Sequence, residues 1–361
     1  MKKFKSAISR AIISVIAIIL IVVLPAISFS KNGEIDFMYG VFVGQKSKYA
    51  GMIEVWNVDS FEGGTGSKRT FLENAAKAFQ QENKGTFVYV RNLTEQECVN
   101  LLASGSVPNL ISCSYGVAEK IKEYCCAYAN INKNIYSNFL EAGTINGNVY
   151  GLPWCTGFYC LISTQAKLQR AGKGGQNLNE IAFSAGYEYK VGKTTKKSDS
   201  LIFGTSDYLM PKTALDAYNK ARSIQTNTQD KYTQTKSQYS AYSLFLANSA
   251  TILLGTQRDI CRMENRVSQG KVSDVIFLPL LEWTDLVQFM FVCKSENKLA
   301  KSYAEKFACF LTESKMQKSL QKIGLFPICS EKELSYSGVM LDILLENFSI
   351  CKVKSIFEKA V

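Results

Sequence analysis

Between residues 52 and 113 the chain alternates short apolar runs with amphipathic ones, and that order leaves few folds open. Residues 52–58 read as a buried strand. Residues 67–81 read as a helix with Phe71, Leu72, Ala75, Ala78 and Phe79 on one face. Residues 86–90 form the next strand. Thr94, with Glu97 three positions on, is a capping box opening a helix to about Ser104, and 109–113 is a third short strand. A β-α-β-α-β order predicts a parallel sheet with crossover helices.

The rest of the chain continues the α/β pattern. Residues 144–150 predict a hairpin turning at Asn146-Gly147. From 172 to 240 the chain is polar, with helices near 178–183 and 213–223. Periodicity returns at 242–254. Strands are expected at 275–280 and 286–293, helices at 299–312 and 313–323, and a last helix at 338–357, interrupted near Ser349. There is no internal repeat.

The N-terminus speaks to compartment. Lys2, Lys3, Lys5 and Arg10 precede an apolar run, 11–24, broken only by Ser14, and Pro25-Ala26-Ile27-Ser28 supplies a helix break and small residues. Residues 1–30 therefore read as a signal peptide, or as an uncleaved anchor over 11–29, with 31–50 a spacer. The first cysteine is Cys98, so a lipid anchor is not expected.

Composition removes several chemistries. The chain has no histidine, which excludes Ser-His-Asp and Cys-His nucleophile systems and histidine-ligated metals. Its formal charge of +11 falls to +7 without the four n-region charges. That charge reads as a solvated surface, because a nucleic-acid site would interleave basic residues with aromatics on one element. The densest basic run, 190–197, reads as an exposed, mobile polar loop. Eleven cysteines cannot all pair; most lie in apolar stretches, with Cys125 and Cys126 adjacent. They read as reduced, packed thiols, with Cys155 and Cys160 the one candidate pair. No CxxC occurs, so no metal is expected.

Several ordered segments resemble one family. Ala78-Phe79 leading through Lys84-Gly85-Thr86 into Val88-Tyr89-Val90 resembles the first helix and second strand of family-1 extracellular solute-binding proteins. Residues 101–110 resemble the family's turn, with Asn109 in place of an aspartate. Tyr150-Gly151-Leu152-Pro153-Trp154 is similar to its "Tyr-Gly-Leu-Pro" segment, followed here by Leu161-Ile162-Ser163 where relatives carry "Leu-Tyr-Asn". Residues 250–255 resemble its "Ala-Met" strand, although Ala247-Asn248 replaces the preceding "Gly-Lys". Phe277-Leu278-Pro279 fits the returning strand, and 304–327 the helix pair ending in "Gly-x-x-Pro".

The resemblance implies a two-lobed periplasmic-binding-protein-like fold, each lobe a mainly parallel sheet flanked by helices, with the ligand cleft between them. It implies crossings near Phe158, 275–280 and 312–315. The expected lobes are 51–157 with 281–312, and 158–280 with 313–361. The implied function is the extracytoplasmic component of an ABC importer: a non-enzymatic monomer without cofactors, membrane-associated or secreted, capturing a carbohydrate and delivering it to permease transmembrane subunits. An exported glycosidase using carboxylates, with Glu282 and Asp285 the nearest pair, and a ligand-sensing receptor for a membrane kinase are the alternatives.

Sugars offer apolar C–H faces and hydroxyls, so they call for aromatic platforms with amide and carboxylate partners. Strand carboxyl ends are where open α/β sheets hold ligands. The candidates are Trp56, Asn57 and Asp59 after the first strand, Tyr115 after the third, Trp154, Phe158 and Tyr159 at the first crossing, and Trp283 with Asp285 on the return. The turn Glu62-Gly63-Gly64-Thr65-Gly66-Ser67-Lys68-Arg69 lacks P-loop order. It reads as a helix-starting loop, a hydroxyl-binding loop or an anion site using Lys68 or Arg69.

Overall fold

The computed structural model describes residues 49–132, 134–181, 188–191, 194–197, 199–205, 209–224, 232–329 and 348–356. Residues 1–48, which include the expected signal segment 1–30 and most of the expected spacer 31–50, lie outside them. The chain opens with β1 (Gly51–Val58), α1 (Lys68–Glu82), β2 (Thr86–Leu93), α2 (Glu95–Ala103) and β3 (Leu110–Cys113). β1 pairs in parallel with β2 on one side and β3 on the other, as the alternation predicts. Ser67 caps α1 by accepting from Thr70 N, and Phe79 on its inner face meets Phe307 and Phe310 edge-on. Thr94 and Glu97 form the expected reciprocal capping box. β2 is the sheet edge, and its side chains mostly alternate, with Phe87 and Tyr89 outward.

After α3 (Ala118–Ile121), β4 (Cys125–Cys126) and α4 (Ser137–Ala142) comes the hairpin β5 (Thr144–Ile145) and β6 (Asn148–Val149). It turns at Asn146 and Gly147 with φ of 49° and 78°, the left-handed pair that a two-residue turn requires. β7 (Gly151–Thr156) ends the first sheet's outward run. Two residues later β8 (Tyr159–Ser163) enters a second sheet.

That second region contains α5 (Gln165–Arg170), α6 (Leu178–Ile181), β9 (Glu188–Val191), β10 (Thr194–Lys197), β11 (Asp199–Gly204) and α7 (Pro211–Ala221). It continues through β12 (Tyr232–Thr235), α8 (Gln238–Leu246), β13 (Ala250–Thr256), α9 (Gln257–Ser268) and β14 (Ile276–Leu280). Its sheet runs β12-β11-β13-β8-β14, with β11 parallel to β12 and β13. The chain then passes β15 (Trp283–Thr284) and returns as β16 (Val287–Cys293), followed by α10 (Lys298–Phe310) and α11 (Ser314–Ser319).

The first sheet reads β2-β1-β3-β16-β4, with β7 also on β16. β7 carries the chain out and β16 carries it back, so they run antiparallel, and β8 and β14 do the same in the second sheet. Each sheet is thus a three-strand parallel set extended by antiparallel connecting strands. β8, β13 and β16 are buried at every position and form the two centres.

Some expectations need correction. The basic run 190–197 contains an antiparallel hairpin, β9–β10, because Thr194 and Thr195 favour extended backbone that pairs with Lys190 and Val191. The polar stretch 172–240 also holds β11 and β12. Residues 352–353, expected in a last helix, are β17 (Lys352–Val353), paired in parallel with β15; residues 338–347 of that helix lie outside the described residues. The eleven cysteines are free, Cys155 and Cys160 included; those two lie on β7 and β8, in different sheets. Beyond Thr312, Gln317 Nε2 donates to Trp154 O at 2.8 Å and Phe326 bridges Thr156, both on the first sheet, while Phe326 also packs on Phe158 at the crossing.

Candidate functional site

The end of β1 builds one wall. Trp56 is fully buried, and its Nε1–H donates to Glu54 Oε1 at 2.9 Å. Asn57 is buried beside it; its Nδ2 donates to Asn92 Oδ1 at 2.9 Å, while its Oδ1 has no described partner. Asp59 is exposed and accepts from Asn92 Nδ2.

Beneath this wall lies a buried polar chain. Lys68 Nζ donates to Ser60 Oγ and, at 3.0 Å, to Gln288 Oε1, and sits 4.4 Å from the Phe61 ring centroid. Gln288 Nε2 and Trp154 Nε1 both donate to Ser112 Oγ, at 3.0 and 3.2 Å. Burial pushes the Lys68 amine below its ordinary value, with Glu62 pulling the other way. Glu62 Oε2 accepts from Lys68 N, and burial holds its carboxyl above the usual range against the attraction of Lys68. Trp154 is fully buried, its ring stacked on Phe71 at 5.2 Å and 12°.

The glycine turn is a packing device. A Cβ on Gly63 would lie 1.9 Å from Ile323 O, and Gly64, at φ 105°, rests against Arg258 O and Cys261 Cβ at the start of α9. The loop after β1 therefore touches both the 320–324 turn and the second region. Only glycine allows that approach.

The crossing is a dense hydrogen-bonded knot. Gly157 N donates to Leu286 O at 2.7 Å, Phe158 N to Gln257 Oε1 at 3.0 Å, and Thr284 Oγ1 to Gly157 O. Phe158 packs on Phe326, with centroids 5.3 Å apart. Tyr159 Oη donates to Asp285 Oδ1 at 2.8 Å, and Met210 N donates to Asp285 Oδ2 at 2.8 Å. Burial raises the Asp285 carboxyl to about 7, against the lowering effect of those two bonds and of Lys354. Tyr115 is buried under Lys354 Nζ, 4.8 Å from its centroid, and Trp283 is buried in β15 beside Lys352.

Of the residues expected from sequence, Tyr159 and Asp285 meet directly, with Phe158 adjacent. Asn57 and Asp59 meet through Asn92. Trp154 joins the Lys68 chain through Ser112, and Tyr115 and Trp283 are tied to the C-terminal residues 352–354. Trp56 stands apart, on Glu54. Sequence reasoning missed Ser60, Ser112, Gln257 and Gln288 and left Lys68 as a surface anion candidate. One signal was there: Lys68 precedes Phe71, Leu72 and Ala75 at three, four and seven residues, the inward stripe of α1. Glu282 is held by Arg222 and Asp285 by Tyr159, so the nearest carboxylate pair is engaged in separate bonds.

No protein-family model matches the chain, and no curated protein matches it. Solved structures do. The GacH receptor of Streptomyces glaucescens, solved unliganded and with acarbose, is similar at a TM-score of 0.57 and 11% identity, over 85% of this chain and 88% of that one. Maltose-bound MalE3 of T. maritima is similar at 0.55 and 12%, over 83% and 89%. A sugar transporter from Rhizobium etli in an open conformation is similar at 0.56 and 14%, over 84% and 89%. With two sheets, a paired crossing and this likeness along most of its length, the chain has the two-lobed periplasmic-binding-protein fold.

Proposed function

We propose that this chain is the extracytoplasmic substrate-binding component of an ABC importer. It captures a sugar or oligosaccharide by cleft closure and delivers it to permease transmembrane subunits. The observation that carries the reading is the paired crossing, Gly157–Phe158 outward and 281–286 back, in a fold similar to structures solved with acarbose and maltose. A ligand that touches both lobes only when they close shifts that equilibrium by its differential affinity. In this reading the first lobe is 51–157 with 281–312 and the second 158–280. The described contacts of 313–329 and 348–356 support counting them with the first. Of the candidate ligand residues Asp59 is exposed, while Asn57, Tyr115, Phe158, Tyr159 and Asp285, as buried as Trp56, Trp154 and Trp283, form the walls behind it. The protein acts as an exported monomer without catalysis.

The test is calorimetric titration of the pure protein with mono-, malto- and other oligosaccharides, with chromatography of each mixture and small-angle scattering. Saturable 1:1 binding, unchanged glycan and a smaller radius of gyration support the reading. Released sugar would make the protein a glycan-acting enzyme, and no binding by any glycan would exclude a carbohydrate ligand.

A further inference from the structure

Cys125 and Cys293 face each other across the β4–β16 ladder. Lys294 N donates to Tyr124 O at 2.8 Å, whereas Cys293 N turns the other way, to Asn109 O at 3.0 Å. Cys293 and Cys125 are therefore the non-hydrogen-bonded pair of the ladder. Such pairs bring Cα atoms to about 4.5 Å, inside the roughly 4.4–6.8 Å that a disulfide spans. Both side chains are buried, and Cys125 Sγ donates to Ile121 O at 3.3 Å. Neither the Cys155–Cys160 pair nor the adjacent Cys125 and Cys126 has this facing arrangement.

We propose that Cys125 and Cys293 form a reversible intramolecular disulfide, with a small-molecule or protein disulfide as oxidant. One cysteine, as thiolate, attacks the oxidant disulfide RSSR; one RS⁻ leaves and takes a proton, and a mixed disulfide remains. The second cysteine displaces the other RS⁻ in the same way. Two S–H bonds are lost, one S–S bond forms, and RSSR is reduced to two RSH. Both thiols are buried, and the facing Cys125 together with burial holds the Cys293 thiol in its protonated form. Exchange therefore runs when β4, a two-residue edge strand, lifts from β16. The new bond would join the two ends of the chain's excursion through the second sheet, since β8 to β14 all lie between residues 125 and 293.

The experiment oxidises the full chain with oxidised glutathione, then counts thiols in denaturant and maps non-reduced tryptic peptides. The expected result is loss of two of the eleven thiols and a linked pair of peptides, 123–133 and 272–294. In Cys126→Ser that link persists, which assigns it to Cys125; in Cys293→Ser it is gone. The oxidised protein unfolds at higher denaturant, and reduction reverses the shift. Retention of all eleven thiols would overturn the proposal. So would oxidation that yields only a Cys125–Cys126 link, or only glutathione on Cys126, without the 123–133 to 272–294 product.

Discussion

Asp285 lies where the chain returns from the second sheet, fully buried and accepting from Tyr159 and Met210. Its carboxyl is raised from 3.8 to about 7, chiefly by burial. It holds its proton more tightly folded than unfolded. Its contribution to stability is therefore present below about pH 4 and declines as pH rises toward 7, by something on the order of 4 kcal/mol. We expect Asp285→Asn to remove that slope. The check is the difference between wild-type and variant unfolding free energies from pH 4 to 8; parallel curves would contradict it. Trp154 gives a second expectation. Its ring is stacked on Phe71 and its N–H is bonded to Ser112. Trp154→Ala should lose about 3–5 kcal/mol of stability in denaturant titration, while the folded fraction keeps most of its ligand affinity. A ring that touches ligand would reverse that pattern.

At the scale of elements, the helix starts carry measurable energy. Thr94 Oγ1 accepts from Glu97 N, and Glu97 Oε2 accepts from Thr94 N at 2.7 Å. Thr94→Ala should lower the unfolding free energy by about 1 kcal/mol without touching ligand affinity. The glycine turn is a harsher case, because the obstacle at Gly63 is the backbone carbonyl of Ile323. Gly63→Ala should cost about 1–3 kcal/mol; a thermally unchanged variant would mean that the loop and the 320–324 turn can part freely. These elements also show what was readable beforehand. The capping box, the Asn146-Gly147 hairpin and the 52–113 alternation are set by neighbours in sequence, and they stand where the pattern put them. β11 and β12 were not readable in this way, because their pairing is decided by distant partners; β9 and β10 pair locally, but their polar composition hid the strands. Likewise 352–353 is a strand only because Trp283–Thr284 offers it an edge. The candidate site was legible as residue types at strand ends. The burial of all three tryptophans was not, since a ring's depth depends on packing such as Phe71 on Trp154. The inward position of Lys68 was there to be read.

At the scale of the molecule, β16 sits in the middle of the first sheet yet is supplied by residues 287–293. Until that segment arrives, β3 presents an unpaired edge and β7 has no neighbour in its sheet. The second sheet, by contrast, is drawn wholly from the uninterrupted stretch 159–280. Order of synthesis and order of completion are therefore inverted: the half that begins first finishes last. Non-local pairing of this kind is slow and leaves apolar strand edges open to aggregation. Pulse-labelled hydrogen exchange during refolding should protect amides of β11 and β13 before those of β3 and β16. During synthesis the first half thus stays open until nearly three hundred residues have been made, a delay written into the strand order.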